Sequence, residues 1–402
     1  MFIELIIATI CGILCGIITG LIPGIHINLL AVLLLSVAPI LLKYTNPLVL
    51  CVFIIAMSVI HTFLDSIPSI FLGAPDSATA LGVLPGHRYL LKGFGLMAVK
   101  LTIIGSFGAL LLSMLLFPLL LPVVEFIYPY LSRAMGLLLV SVIFFMIWRD
   151  KKKVWAITVF LMSGTFGLVV LNIPNFDNAL FPMLSGLFGI STLLMSLQDK
   201  NTIPEQKQST DIKLKKGLVF TALSSGTLSG FITAVMPGLG GYTAAVISMQ
   251  LPWCKKLGDH GFMMLMGSIN TVNFILSMVT LYVLDKARNG SIIVVKELMP
   301  AITGMSIVVF LCVTLVAGCA GVYLALFFGR LFSTWISKVN YKLVVWSVIG
   351  FIVVLAIILT KWIGIMVLFT STALGFIPAI TKVTRTHAMG CLLLPVVLFF
   401  LL

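Results

Sequence analysis

The chain has 402 residues, of which 60% are hydrophobic and 9% charged, with a mean hydropathy of +1.22. A soluble domain carries roughly 25% charged residues, so a soluble globular protein, a disordered chain and a disulfide scaffold are excluded. The net charge of +13 falls between apolar runs, which favours the basic cytoplasmic loops of a membrane protein over a nucleic-acid partner.

Apolar runs cover approximately 5–22, 25–42, 47–64, 94–122, 131–148, 154–171, 179–197, 217–236, 238–253, 261–284, 298–328, 343–360, 362–380 and 387–402. A spanning helix takes ~20 apolar residues, so about ten to twelve spans are expected. The runs are continuous rather than alternating, which points to helices and against a β-barrel. No basic stretch precedes the first run, so no cleaved leader is expected. Seven cysteines are scattered, and Cys11 and Cys15, at helical spacing, are the one close pair. They read as small packing residues rather than a disulfide or metal site.

The halves repeat. At an offset of 214, the run from Gly12 through Gly16 and Gly20 to Pro23-Gly24 lies on that from Gly226 through Gly230 and Ala234 to Pro237-Gly238. Over residues 12–33, nine of 22 pairs are identical, including both Pro-Gly steps. A weaker match sets MSVIHT (57–62) on MGSINT (266–271) and so places Asn270 at the His61 position. The chain divides into repeat 1 (1–197), a polar linker (198–216) and repeat 2 (217–402). Arg149 to Lys153 and the linker are the strongest basic loops and are assigned to the cytoplasm. Working outward puts Arg88 and Lys92 inside, 123–130 outside, and Lys361 outside between two inner basic connections. The expected fold is an all-α polytopic membrane protein with two inverted-topology repeats of about five to six helices each, an arrangement common among secondary transporters.

Several motifs bear on chemistry. Gly12, Gly16 and Gly20 line one helix face, which suits close helix packing. Pro23-Gly24 and Pro237-Gly238 then end their helices, and broken backbone at membrane depth needs protein or a water-filled cavity around it. Paired helical hairpins, with tips near the midplane, are expected. The half-helices that follow, with His26 and Asn28 in one and Gly240 and Thr243 in the other, present N–H groups suited to an anion. Ser66 to Gly86 carries Pro68, Gly73, Pro75 and Pro85 and reads as a re-entrant loop with a short helix. Its Asp76, Ser77 and Thr79 suit a cation or substrate oxygens; an interfacial loop with a capping residue is the plainer reading. His61 and Asp65, four apart, share a helix face, and with Asp76, Asn270 and Asn273 they are the ion-coupling candidates. Structural hydrogen-bonded pairs are the alternative. Arg88, Lys92 and Lys100 are candidates for a substrate carboxylate or a lipid headgroup, against ordinary loop charge and snorkelling.

The run GAPDSATALGVLPGHRYLLKGFG, followed by AVKLTIIGSFGALL, resembles a signature of the large permease subunit of tripartite tricarboxylate transporters, the TctA family. The two glycine runs ending in Pro-Gly resemble its two other signatures. The resemblance covers most of 1–130 and 217–250. It implies a cation-coupled carboxylate importer, which bacteria supply through a periplasmic binding protein and a small membrane subunit. Asp76 stands where the family has glycine, and Pro85-Gly86-His87 replaces Asp-Gly-Tyr. The chain is shorter than the usual bacterial members and looks like an archaeal-type branch, which weakens the expectation of a tripartite assembly.

The expected activity is therefore secondary transport of a small organic anion such as a di- or tricarboxylate at a midplane site. Na⁺ or H⁺ is the coupling ion, with no cofactor and no metal, in a multi-pass plasma-membrane protein that is expected to dimerise. A polyprenyl-phosphate or other anionic-lipid translocase is the alternative. An intramembrane enzyme using Asp65 and Asp76 has no supporting motif, and no ATP-binding, metalloprotease or serine-hydrolase motif is present.

Overall fold

A long apolar run in lipid must close its backbone hydrogen bonds within itself, and a helix does so. The computed structural model describes residues 1–22, 27–72, 83–176, 178–197, 204–208, 214–235, 244–245, 248, 253–254, 257–287, 289–338 and 340–402. Every regular element among them is helical. In the first half these are α1 (Phe2–Leu21), α2 (Ile27–Leu41), α3 (Pro47–Leu64), α4 (Ser66–Phe71), α5 (Val83–Leu91), α6 (Gly95–Arg149), α7 (Lys153–Leu171), α8 (Leu180–Leu184) and α9 (Ser191–Ser196), the last two joined by a π turn. The second half has α10 (Lys216–Val235), α11 (Gly258–Leu284), α12 (Gly290–Leu298), α13 (Gly304–Ile336), α14 (Tyr341–Thr381) and, after a 3₁₀ turn at Arg385–Met389, α15 (Gly390–Leu401).

Eight helices among the described residues are long and apolar enough to cross a membrane, fewer than the ten to twelve expected. Two pairs of runs are fused. The turn expected at 123–130 is instead helical: α6 continues through Pro118, Pro122 and Pro129 for 55 residues. A proline removes one donor and bends a helix without always ending it. The second fusion, α14, breaks where expected, at Lys361, whose φ of 54° lies outside the helical region.

The element order repeats. α11, α12 and α13 begin 211, 207 and 209 residues after α3, α5 and α6. The glycine stripes explain how each half holds its central helix. A Cβ added at Gly12 would lie 2.5 Å from Phe53 O, and one at Gly16 2.7 Å from Met57 O, so α1 and α3 meet backbone to backbone. Gly226 and Gly230 make the same approach to Ser268 and Val272 on α11. The packing reading of these glycines is therefore correct. It also corrects the register of the weaker repeat match. Gly12 faces Ala56 and Gly226 faces Ser268, a separation of 212 rather than 209. Asn273, not Asn270, then occupies the His61 position; small apolar motifs match almost as well one turn away.

Each half also covers the other's central helix. Gly105 and Gly267 bring α6 and α11 so close that a Cβ on either would overlap the other helix's backbone. On the other side, a Cβ at Gly321 of α13 would lie 2.9 Å from the Phe63 ring of α3. The central windows of the α3–α4 span and of α11 are 83% buried, against 28–44% for the other spans. α6 and α13 cross antiparallel, with Val99 against Gly329 and Leu110 against Gly318. The crossing falls at matching depths, 15 residues after Gly95 and 14 after Gly304.

The part of the linker that is described is docked rather than a free polar loop. Gln206 is buried; its Oε1 accepts from Gly95 N–H at 2.9 Å, and its amide donates to Leu90 O. It thereby caps α6, whose own N-cap, Phe94, has no capping side chain.

A second tie joins the halves at the α6–α7 turn. Asp150 Oδ2 accepts from Thr384 N–H, Thr384 Oγ1 and His387 Nε2, each at 3.0–3.1 Å, while its Oδ1 caps Lys152 N–H. Burial alone would raise the Asp150 carboxyl, but these donors hold it down to about 2. Burial also pushes His387 below its ordinary value, against the pull of Asp150. A depressed group stabilises the fold above its unfolded value and loses that contribution as pH falls toward its folded value.

Two outcomes follow. Gly105→Ala should destabilise the purified protein by about 1–3 kcal/mol through overpacking, whereas Gly350→Ala, with nothing within 4 Å, should leave its melting temperature unchanged. Melting temperature should also fall as pH drops below the ordinary histidine value near 6.5. His387→Gln should flatten that part of the profile.

Candidate functional site

The central helix of the first half is interrupted just where its polar residues gather. Pro68 lacks an N–H, so the Leu64 carbonyl loses its usual donor; the ladder skips a step at Asp65, between α3 and α4, while the Asp65 backbone stays helical (φ −60°, ψ −24°). Asp65 N–H still bonds to His61 O at 2.9 Å. Both side chains are buried, at 3% and 4% exposure. A carboxylate at membrane depth is costly and needs polar partners.

One such partner comes from α11, and hydroxyls of α3, α4, α6 and α11 gather beside it. Asn270 of α11 donates its amide to Asp65 Oδ2 at 2.6 Å and to Thr62 O at 3.4 Å. Two acceptors on one side fix the amide's orientation. Thr62 and Thr271 place their hydroxyl oxygens 3.4 Å apart, and Ser66 meets Thr102 of α6 at 3.2 Å. A cavity of about 20 Å³ lies among Thr62, Asp65, Ser66, Ser69, Thr102 and Asn270. That is room for one water-sized guest. Gly267 also lines it, so the close approach of α6 and α11 forms one wall.

Next to the cavity, α5 is clasped to the start of α11. Arg88 pairs with Asp259 at 3.1 Å, and Tyr89 hydroxyl bonds His260 Nδ1 at 2.9 Å. Gly86 lies against Ile70, which also lines the cavity.

The structure thus brings Asp65 and Asn270 together. Asn273 is half-buried on α11 and does not line the cavity; its carbonyl accepts from Ser277. Arg88 is engaged with Asp259, Lys92 is exposed, and Lys100 lies half-buried along α6. Pro23, Gly24, His26, Asp76, Ser77, Thr79, Pro237, Gly238, Gly240 and Thr243 lie outside the described residues. Asn28 falls in α2, and only its backbone is described. Sequence reasoning missed Thr62, Ser69 and Thr102. Thr102 was findable as a hydroxyl two residues beyond Lys100 in an apolar run, but nothing in the sequence says which partner helix it faces.

The family model described as "Tripartite tricarboxylate transporter TctA family" matches residues 6–390. The chain belongs to the TctA family. A TctA-family chain is a permease component of a transport system rather than an enzyme. With eight candidate spans it is a multi-pass protein of the plasma membrane. The family also implies an organic anion as cargo, and often two further components. An uncharacterized protein of the archaeon Methanocaldococcus jannaschii is 28% identical over 360 residues, 87% of this chain and 88% of that one. This agrees with the shorter archaeal-type branch. No solved structure matches.

Proposed function

We propose that this TctA-family permease is a secondary active transporter of small organic anions, di- or tricarboxylates, driven by Na⁺ or H⁺. The observation that carries the coupling is the Asp65–Asn270 contact. It joins the central helix of one half, at the α3–α4 junction, to the central helix of the other, at a cavity walled by both. A site shared between halves changes shape when the halves move, as alternating access requires.

The antiparallel crossing of α6 and α13 at matching depths supports inverted repeats. Two equivalent helices crossing antiparallel at equivalent points are related by a two-fold axis across them. The outer basic loops agree: the α6–α7 turn and the 382–385 turn, tied through Asp150, both lie on the cytoplasmic side. The same scheme makes the 198–216 linker cytoplasmic.

The anion is assigned on the sequence to the two Pro-Gly tips and the 77–79 segment. These supply Pro23, Gly24, His26, Asn28, Ser77 and Thr79 from the first half, and Pro237, Gly238, Gly240 and Thr243 from the second. Backbone N–H groups at half-helix starts attract carboxylates. His61, Asp76 and Asn273 stay secondary ion candidates. A homodimer in the membrane, fed directly or through a binding protein and a small subunit, completes the proposal.

Radiolabelled citrate and succinate uptake into proteoliposomes tests it. An inward Na⁺ or proton gradient should drive accumulation. Gly24→Trp and Gly238→Trp should abolish it while the proteins still purify as folded species. Uptake that ignores both gradients, or full activity in both variants, would contradict the reading.

A further inference from the structure

Two turns far apart in the sequence share one corner of the structure, and that corner is basic. The α6–α7 turn carries Arg149, Lys151, Lys152 and Lys153, and the turn after α14 carries Lys382 and Arg385. The single acid in either turn is Asp150. Its carboxylate accepts from Thr384, His387 and Lys152 N–H and is 7% exposed. It faces inward and is engaged in holding the turns together. Lys152 Nζ adds a second clasp, to Thr381 O at 2.8 Å. The outer face is left with five exposed cations and the half-buried Arg385. None of the six forms an ion pair among the described residues.

Two further features call for negative charge there. Arg385 turns toward α9, where its guanidinium donates to Thr192 Oγ1 and to Met195 Sδ. Both partners are neutral, so its charge is not balanced by them. α7 starts in the same corner, and a helix N-terminus is the positive end of its dipole. Its N-cap, Lys152, offers no capping side chain, and its first turn holds Lys153 and no acid. Cations at that end work against the dipole, and an anion beside them relieves both repulsions.

The surroundings say what kind of anion. Phe144 and Trp148, near the end of α6, are both more than 60% exposed, with ring centroids 5.7 Å apart, and Trp155 is exposed in the first turn of α7. Lys153 Nζ lies 4.4 Å from the Trp148 ring, and Arg149 lies 5.7 Å from that of Phe145. Exposed tryptophan beside basic groups at a helix end marks the headgroup level of a bilayer. A soluble anion has no use for these rings, whereas a lipid sets its acyl chains against them.

We propose that the 149–153 and 382–385 turns, clasped through Asp150, form one docking surface for the headgroups of anionic phospholipids. The cations come from both halves of the chain, so a lipid held there bridges the halves and reinforces the Asp150 tie. The site depends on the tie as well as on charge. Lys382 stands beside the α6–α7 cations only because Asp150 and Lys152 hold the turns together.

The test is native mass spectrometry of the detergent-purified full-length protein, titrated with phosphatidylglycerol or phosphatidylcholine. Phosphatidylglycerol should bind at least tenfold more tightly. Lys151→Gln combined with Lys382→Gln, one cation from each turn, should weaken it about 25-fold. Lys338→Gln with Lys342→Gln removes the same charge from another exposed basic turn and should leave affinity unchanged. Asp150→Ala makes the corner more positive yet should weaken binding, because the turns part. If that variant fails to fold, the two lysine pairs still decide. No preference for phosphatidylglycerol, equal losses in the two lysine pairs, or tighter binding in Asp150→Ala would overturn the proposal. Displacement of the lipid by excess glycerol phosphate would also overturn it, since the corner would then be a site for soluble anions.

Discussion

Backbone contact at glycine is the constraint on which the rest depends. In lipid there is little hydrophobic force between helices, so they are held by close packing and by hydrogen bonds between them. Gly12 and Gly16 seat α3 on α1, Gly226 and Gly230 seat α11 on α10, and Gly105 and Gly267 bring α6 onto α11. Because these contacts are tight, the α3–α4 span and α11 can be buried far more completely than the other spans. Burial is what lets them carry groups that lipid would not tolerate.

From this follows the chemistry. A helix surrounded by protein can carry Asp65 beside a lost backbone hydrogen bond at Pro68, because the polar side chains there meet partners on neighbouring helices instead of acyl chains. Asn270 and Thr102 reach Asp65 and Ser66 only because α6, α3 and α11 converge there. The polar cluster is thus a product of the packing rather than an exception to it. It also spans both halves, so relative movement of the halves must alter it. The ties between loops are of another kind. The Asp150–Thr384–His387 knot and the Gln206 cap join loops rather than spans.

Much of this was legible in the chain. Continuous apolar runs and repeated glycines pointed to the helical class, the repeat and close packing at the glycine stripes, though not to α3 and α11 as the partner helices. The TctA resemblance was carried by Pro-Gly steps and the 73–86 run. Asp65 stood out because a carboxylate in an apolar stretch is rarely idle. Three things were not legible. α6 runs on through 123–130 although it holds three prolines, and whether a proline bends or ends a helix depends on its surroundings. Gln206 sits in a polar stretch, and its burial depends on a corner formed more than a hundred residues earlier. Thr62, Ser69 and Thr102 look like any hydroxyls in a span, since only tertiary packing tells which ones face each other. The 209-residue register failed for a related reason, because a six-residue match of small residues scores nearly as well a turn away.

The central claim is that two equivalent halves face opposite ways around the α6–α13 crossing. Phe2 and Lys216 begin α1 and α10, are related by the 214-residue offset, and are both exposed. Single cysteines at these two positions, on a cysteine-free background in intact cells, test the claim directly with a membrane-impermeant maleimide. Phe2→Cys should label from outside, and Lys216→Cys only after permeabilisation. Labelling of both from the same side would contradict the inverted arrangement, and with it this route to alternating access.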